Sequence, residues 1–327
     1  MTIDVIEVKR RLQVLLNDQN LVNDYIRQFG PTIDIKHIKE IKEKRESNTR
    51  TENVDESVGQ DPVYQIQVKC PVCNQTKIEC NELRAKSQQI IPNKFLIPTY
   101  FGASGFKTVD YNMIAVTVCP RCLFASPDKK DFCRIGTSGP SENKSQIAHS
   151  ILMTLQEKIG ERKALLGTIT DYENYFKRPR SDESAINSYK LAIARAKAEA
   201  WYEQPYSSYK LGAYTLKIAK ILKDSGKENK DQIMEALGYF EEAFRTSNCP
   251  SEDIEMQVIY TIVALNIKLS EFKKANSFLA VFTNLINART AEMRENPKLN
   301  TVTIEKWADR AKFLWEEREN PDLFKDE

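Results

Sequence analysis

Two Cys-Pro-x-Cys pairs constrain this chain more than any other feature of its sequence. The run Cys-Pro-Val-Cys places Cys70 and Cys73 three positions apart, and Cys-Pro-Arg-Cys repeats that spacing at Cys119 and Cys122. Two such turns supply the four thiolates of a tetrahedral zinc site, in which each sulfur lies about 2.3 Å from the ion. A site with four protein ligands has no open position for a substrate. The pattern therefore predicts a structural Zn²⁺ ion rather than a catalytic one.

Alternating hydrophobic residues precede each Cys-x-x-Cys turn, or knuckle. They are Tyr64, Ile66 and Val68 before the first knuckle, and Ile114, Val116 and Val118 before the second. A period of two is typical of a strand with one buried face, so both knuckles are predicted to lie at strand ends, as in a zinc ribbon. Two reduced pairs that only pack in the core are the alternative. A redox pair is disfavoured because neither knuckle lies in a βαβ context.

Three further cysteines lack the knuckle spacing. Cys80 lies seven residues after Cys73, and Cys133 lies eleven residues after Cys122. Either could supply a ligand or pair with the other, but we assign both as free thiols, and Cys249 as a packing residue. A chain with seven cysteines, four of them in knuckles, fits a reducing compartment better than a disulfide scaffold.

Composition narrows the class of protein. The chain of 327 residues is 41% hydrophobic and 29% charged, which is typical of a soluble globular protein with exposed helices. Its N-terminus has no secretory signal pattern, and no apolar run approaches the ~20 residues of a membrane span, so we expect a cytoplasmic location. The net charge of +2 argues against a strongly nucleic-acid-binding protein.

The hydrophobic pattern divides the chain into four predicted regions. Residues 1–46 read as short amphipathic helices that pack on the body or on a second copy, where they would form a homo-oligomer. Residues 47–60 are almost free of hydrophobic residues and read as a linker. Residues 61–135 are the predicted zinc ribbon with a long insertion. From residue 142 to 320 the period becomes helical.

Within this helical region the sequence is weakly repetitive. Residues 269–282 resemble the middle and the second helix of a tetratricopeptide repeat, with residues 255–268 as its first helix. Leu211-Gly212 together with Ala236, Phe240 and Ala243 suggests an earlier copy of the same pair. The predicted fold is therefore mainly α: short N-terminal helices, a small β zinc ribbon, and a tetratricopeptide-like array capped by residues 301–317.

The whole pattern resembles a bacterial family classed as a domain of unknown function. The resemblance is carried by the first knuckle, by residues 111–125 around the second knuckle, and by residues 185–193 (Ala-Ile-Asn-Ser-Tyr-Lys-Leu-Ala-Ile). It covers roughly residues 61–290. The resemblance implies metal binding by the four knuckle cysteines and an interaction role, and it brings no known activity.

The leading functional hypothesis is a non-catalytic scaffold that binds a protein or peptide on the concave face of its helical array. Aromatic and basic side chains of the first helix in each pair would line that face. They are Tyr206, Tyr209 and Lys217 from one pair, and Tyr260 and Lys268 from the next. The alternative is that these tyrosines are ordinary packing residues.

Two other classes of function compete with the scaffold. A nucleic-acid-binding regulator would use the ribbon, where Arg121, Lys129, Lys130 and Arg134 lie near the second knuckle. Ten basic and six acidic residues in 61–135 make that region only mildly basic, so nucleic acid is the less favoured partner. An enzyme is not expected, because the sequence lacks a phosphate loop and a nucleophile elbow, and it contains only two histidines.

Overall fold

The computed structural model describes residues 59–135 and 145–327, except residues 248, 297 and 326, together with seven residues nearer the N-terminus. Those seven are Leu12, Val22, Tyr25, Ile26, Asp34, His37 and Ile38. The described residues are mainly helical, which confirms the predicted class. Their α-helices are α1 (His149–Glu157), α2 (Ile159–Ala164), α3 (Tyr172–Tyr175), α4 (Asp182–Trp201), α5 (Ser207–Asp224), α6 (Lys230–Arg245), α7 (Glu252–Lys268), α8 (Phe272–Glu295) and α9 (Val302–Glu316).

Short strands precede the helices in the described chain. They are β1 (Val63–Lys69), β2 (Ile78–Leu83), β3 (Gln88–Pro92), β4 (Pro98–Gly102), β5 (Thr117–Val118), β6 (Ala125–Ser126) and β7 (Cys133–Arg134). β1 lies between β2 and β7 in an antiparallel sheet, while β3–β4 and β5–β6 form separate hairpins. The predicted strand over residues 114–118 is reduced to β5, because the Asp110 side chain caps a 3₁₀ turn at Tyr111–Met113.

The strands around the second knuckle share their core with helices. Val116, Val118 and Leu123 are buried in one cluster with Tyr189 of α4 and Leu211 of α5. Residues 56–250 accordingly belong to one compact unit, which also includes residues 326–327. The predicted boundary between a ribbon ending at 135 and an array starting at 142 thus divides residues that pack together.

A second compact unit holds residues 251–325 and the N-terminal segment. Within it, the rings of Tyr260 on α7 and Trp307 on α9 lie 5.4 Å apart. Four of the described N-terminal residues, Leu12, Val22, Tyr25 and Ile38, are fully buried in a cluster against which Phe313 of α9 packs. The rest of the predicted helices in residues 1–46, and residues 47–58 of the predicted linker, lie outside the described residues.

The α5–α6 pair shows why one predicted repeat position is glycine. Gly212 of α5 faces the ring of Phe240 on α6, and a Cβ atom at Gly212 would lie 2.8 Å from two ring carbons. Phe240 is itself only 2% exposed, so its ring has little room to move. The sequence pairing of Gly212 with Phe240 therefore corresponds to a close helix contact, while a tetratricopeptide-like arrangement of the helices remains a prediction.

We expect Gly212→Ala to destabilise the protein although alanine favours helices. The gain in helix propensity is about 1 kcal/mol, whereas overpacking a core costs about 1–3 kcal/mol. Gly238→Ala is the matched control, because nothing lies within 4 Å of a Cβ atom at that position of α6. Denaturant titration should show a net loss for Gly212→Ala and a gain for Gly238→Ala. A stabilised Gly212→Ala variant would contradict the close contact.

Candidate metal centre

The two knuckles have the same backbone geometry. In the first, the N–H of Cys70 donates to the carbonyl oxygen of Gln75 at 2.8 Å. In the second, the N–H of Cys119 donates to the carbonyl oxygen of Phe124, also at 2.8 Å. Each turn is thus closed by a bond from its first cysteine to the residue five positions later. This repeated closure brings the two thiols of each turn to one side.

The fifth residue of each knuckle adopts a left-handed backbone conformation. Asn74 has φ of 61° and Leu123 has φ of 59°, and each N–H donates to the carbonyl of the first cysteine, Cys70 or Cys119. Asparagine tolerates this conformation, whereas for leucine it is less stable than the usual backbone conformations by roughly 1–2 kcal/mol. Leu123 is fully buried in the core shared with α4 and α5, which offsets the backbone cost.

The four knuckle sulfurs converge on one point. Sγ of Cys70 lies 3.5 Å from Sγ of Cys122, Sγ of Cys73 lies 3.5 Å from Sγ of Cys119, and all four are within 4.8 Å of one another. Ligands at about 2.3 Å from a tetrahedral ion are about 3.8 Å apart, so the cluster matches the size of a four-thiolate site. A disulfide would need a separation of about 2.05 Å. The four cysteines are free thiols suited to one metal ion.

The cluster is embedded in a hydrophobic core. Cys70, Cys119 and Cys122 are fully buried, and Cys73 is half-buried. Phe124 and Phe132 pack around the cysteines from the strand region, and Ile151, Leu155 and Ala198 pack from α1 and α4. A metal ion here would hold knuckles and helices together. Loss of such an ion should therefore affect α1 and α4 as well as the strand region.

The thiols perturb one another strongly. Hydrogen bonds from Cys122 and Cys70, with the backbone N–H groups of Cys122 and Arg121, lower the pKa of Cys119 below its ordinary value of 9.0. The hydrogen bond with Cys119 is instead the main cause that raises the pKa of Cys70 and of Cys122. Without a metal, the thiolate form is therefore more favoured at Cys119 than at Cys70 or Cys122. A bound divalent metal ion removes the remaining protons, because coordination deprotonates a thiol.

Comparison with known protein families shows which family the chain belongs to. The family described as "Uncharacterized protein conserved in bacteria (DUF2225)" matches residues 63–309, which are 247 of the 327 residues. The chain belongs to this family. The match includes all four clustered cysteines and excludes the described N-terminal residues. No curated protein and no solved structure shows significant similarity to the chain. Nowhere in the described residues does a helix have the length and apolar character needed to cross a membrane.

Cys80 and Cys133 do not join the cysteine cluster. They lie on β2 and β7, on opposite sides of β1, where Cys80 pairs with Ile66 and Cys133 pairs with Lys69. Because Ile66 and Lys69 are three residues apart, the two thiols also face opposite sides of the sheet. Both are free thiols in the structure, which agrees with their assignment from the sequence.

Tyr206 and Tyr209 form a stacked pair where α5 begins. Their ring centroids lie 4.6 Å apart with an interplanar angle of 13°, and both side chains are half-buried. Tyr209 also makes an edge contact with Phe240 of α6 at 5.7 Å. The pair therefore combines a packing role with a ring surface that is still accessible to a partner.

Lys217 is not positioned as a freely solvated ammonium group. Its Nζ lies 5.7 Å from the centroid of the Tyr189 ring, and it forms no hydrogen bond or ion pair with the residues that the structure describes. Burial lowers the pKa of Lys217 from 10.5 to about 8, and the charge of Asp110 opposes this shift.

The predicted residues of the next repeat lie in the other compact unit. Tyr260 is only 4% exposed and packs on Trp307 and under Arg310, so the expectation of an exposed anchor at Tyr260 is wrong. Lys268 is half-buried, with its Nζ 5.6 Å from the ring centroid of Phe324. The sequence pattern was misleading here because helix α7 is buried on most sides, so that helical register alone does not identify an exposed face.

Two notable residues were not among those predicted from the sequence. Trp201, at the end of α4, is 82% exposed, the largest value among the exposed large hydrophobic residues. Arg162 of α2 is 2% exposed and donates to the carbonyl oxygen of Cys122. Nothing in the local sequence distinguishes Arg162 from its charged neighbours. The adjacent aromatic residues Trp201 and Tyr202 were a usable signal of an exposed aromatic site. Two large rings at the end of a helix do not continue the apolar face that the helix buries.

We expect the purified chain to carry about one zinc ion. Cys119→Ser should abolish tight binding, because it removes one of four ligands, and Cys80→Ser should leave the metal content unchanged. Elemental analysis of protein purified under reducing conditions measures both. A metal-free wild-type chain, or a metal loss in Cys80→Ser equal to that in Cys119→Ser, would contradict this site.

The same variants test the shared core. Backbone amides of α1 and α4 should exchange hydrogen faster in Cys119→Ser than in Cys80→Ser, because helices that pack on the metal centre lose its support. Unchanged protection of α1 and α4 in a metal-free variant would show that the metal centre does not support these helices.

Lys217→Met should stabilise the protein at neutral pH. The pKa of Lys217 is lower in the fold than in the unfolded chain, so the fold disfavours its charged form, and this cost disappears as pH rises from about 8 past 10.5. At pH 7 the gain should be on the order of a few kcal/mol, and at pH 9.5 it should be less than half as large. Denaturant titrations at both pH values measure it. A variant that is less stable at pH 7 would show that the buried Lys217 charge is not a net cost to the fold.

Proposed function

We propose that this protein is a non-catalytic scaffold in which a structural Zn²⁺ ion joins the knuckles to the helices and a nearby surface binds a protein partner. The convergence of four cysteine sulfurs within 4.8 Å of one another carries this proposal. A four-thiolate shell supplies folding free energy and leaves no coordination position for a substrate. We also propose a cytoplasmic location, where reduced thiols persist.

Zinc is the metal that the ligand set favours. Thiolates are soft ligands, and a tetrahedral arrangement of four sulfurs is typical of Zn²⁺ or of iron–sulfur chemistry. The cluster has space for a single ion, since its sulfurs lie no more than 4.8 Å apart. Elemental analysis separates zinc from iron directly, and a colourless protein would agree with zinc.

We place the partner surface at the connection between α4 and α5. It consists of Trp201, Tyr202, Tyr206 and Tyr209. Trp201 and Tyr202 are exposed, and the Tyr202 hydroxyl is held 2.7 Å from Thr154 Oγ1. Exposed, positioned aromatic side chains are the commonest hot spots of protein interfaces.

The backbone of this connection supports the same assignment. Glu203 has φ of 50° and Tyr206 has φ of 72°, so two residues other than glycine lie in the left-handed region. Backbone conformations of this kind cluster at functional sites, and here they lie beside exposed aromatic side chains. We do not extend the surface to Tyr260 and Lys268, because they belong to the other compact unit.

The nucleic-acid alternative has less support. Lys129, one of its four basic residues, is engaged by the Glu82 carboxylate at 2.6 Å. Arg121, Lys130 and Arg134 remain exposed near the second knuckle. Three exposed cations provide a weak phosphate-binding surface, so a protein partner is the better proposal.

We expect Trp201→Ala to weaken partner binding without loss of fold stability. An exposed ring contributes little to folding, whereas a central interface residue contributes at least ~2 kcal/mol to binding. Met234→Ala is the control, since Met234 of α6 is also exposed, at 53%. Zinc-loaded wild-type protein and both variants are used as baits in lysate of the native cell, with nuclease treatment. Equal capture of the same protein by wild type and Trp201→Ala would refute this surface, and loss of capture on nuclease treatment would favour nucleic acid.

A further inference from the structure

Arg162 links the second knuckle to the helices from within the core. Its Nε and Nη2 donate to the carbonyl oxygen of Cys122, at 3.1 and 2.9 Å. Nη2 also donates to the carbonyl of Leu155 at 2.6 Å, and Nη1 donates to that of Lys158 at 3.4 Å. Leu155 and Lys158 lie where α1 ends. The guanidinium group thus joins a metal-ligand residue to the C-terminus of a helix.

Arg162 has no carboxylate ion-pair partner among the residues that the structure describes. The residue is 2% exposed. The other deeply buried arginine, Arg195, is flanked by Asp131 and by Glu199, the latter at 3.5 Å. A buried charge without a partner of opposite sign is strongly destabilising. The fold neutralises Arg195 with side chains, and Arg162 requires another source of negative charge.

The metal centre is the nearest candidate for that source. One divalent ion with four thiolates carries a net charge of about −2. The carbonyl groups at the end of α1 add only the partial negative charge of a helix C-terminus, about −0.5. A cation hydrogen-bonded to the ligand residue Cys122 would therefore neutralise half of the charge on the centre. The attraction between Arg162 and the metal centre would offset the desolvation cost of burying each of these charges.

We infer that Arg162 is the charge-balancing and positioning residue of a four-thiolate metal centre. This inference rests on the proposed metal site and deepens it. Arg162 acts on the metal through Cys122 and through its own charge, without coordinating the ion. It has two separable contributions, the positive charge and the hydrogen bonds to Cys122, Leu155 and Lys158.

Two substitutions separate these contributions. Arg162→Lys keeps the positive charge and loses most of the hydrogen-bonding fork, whereas Arg162→Gln loses the charge and keeps an amide donor. Arg180→Gln is the matched control, because Arg180 also has a buried nitrogen and donates to a backbone carbonyl, that of Phe176 at 2.8 Å. No carbonyl of a cluster cysteine accepts from Arg180 in the described chain.

Zinc affinity of the full-length chain is measured by competition with a chromophoric chelator at fixed pH. The cobalt-substituted protein reports ligand geometry through its thiolate-to-cobalt absorption. Arg162→Gln should bind zinc about 10–100-fold more weakly than wild type, which is the usual cost of losing an outer-shell partner. Arg162→Lys should stay within a few-fold of wild type, and Arg180→Gln should be unchanged. Alkylation of the zinc-bound thiolates should be fastest in Arg162→Gln, because they have lost a neighbouring cation.

The outcomes are distinct. Wild-type affinity in Arg162→Gln would overturn the inference while leaving the metal site intact, and a wild-type chain without metal would remove the site itself. Equal tenfold losses in Arg162→Lys and Arg162→Gln would show that Arg162 is only a hydrogen-bonding clamp. If Arg162→Gln does not fold, Arg162→Lys decides alone, because near-wild-type affinity supports charge balance and a tenfold loss overturns it.

Discussion

The structure of residues 56–250 depends on the convergence of four thiols in a core that strands and helices share. Each knuckle alone is a short turn closed by one backbone hydrogen bond, which provides little stability. Side chains from both the strands and the helices pack around the cluster. They are Phe124 and Phe132 from the strand region, and Ile151, Leu155 and Ala198 from the helices. The chemistry of the cysteines and the packing of the helices are therefore parts of one core. The region predicted as a zinc ribbon therefore shares its core with the helices that follow it.

A buried ionic network provides a second link across the same interface. Asp131, just beyond the second knuckle, pairs with Arg195 of α4, and Ser126 donates to its carboxylate at 2.5 Å. Arg195 also faces Glu199, which in turn pairs with Lys210 of α5 at 2.8 Å. Two positive and two negative side chains alternate, so their charges cancel. Networks of this kind specify one arrangement of elements more than they add stability, because an incomplete network leaves a buried charge.

The sequence predicted those features that depend on local spacing. The grouping of the four cysteines followed from the two Cys-x-x-Cys turns, and the mainly helical class followed from the 3.6-residue period. Long-range packing was not predictable in this way. Whether Tyr260 faces solvent depends on Trp307, 47 residues away in the sequence, and Arg162 meets Cys122 only because α1 and α2 fold against the knuckle. Local patterns do not contain that information.

Leu123 has a consequence for any attempt to move this metal centre to another protein. Its position in the knuckle requires a left-handed backbone, for which glycine or asparagine is the usual choice, yet its side chain fills the core beside α4 and α5. A transplanted knuckle with glycine in place of Leu123 would relax the turn but leave a cavity in the core. A transplanted knuckle that keeps the leucine would need a matching hydrophobic cleft in the recipient protein. The second knuckle is therefore not a portable loop. A successful transplant would carry the helices with it.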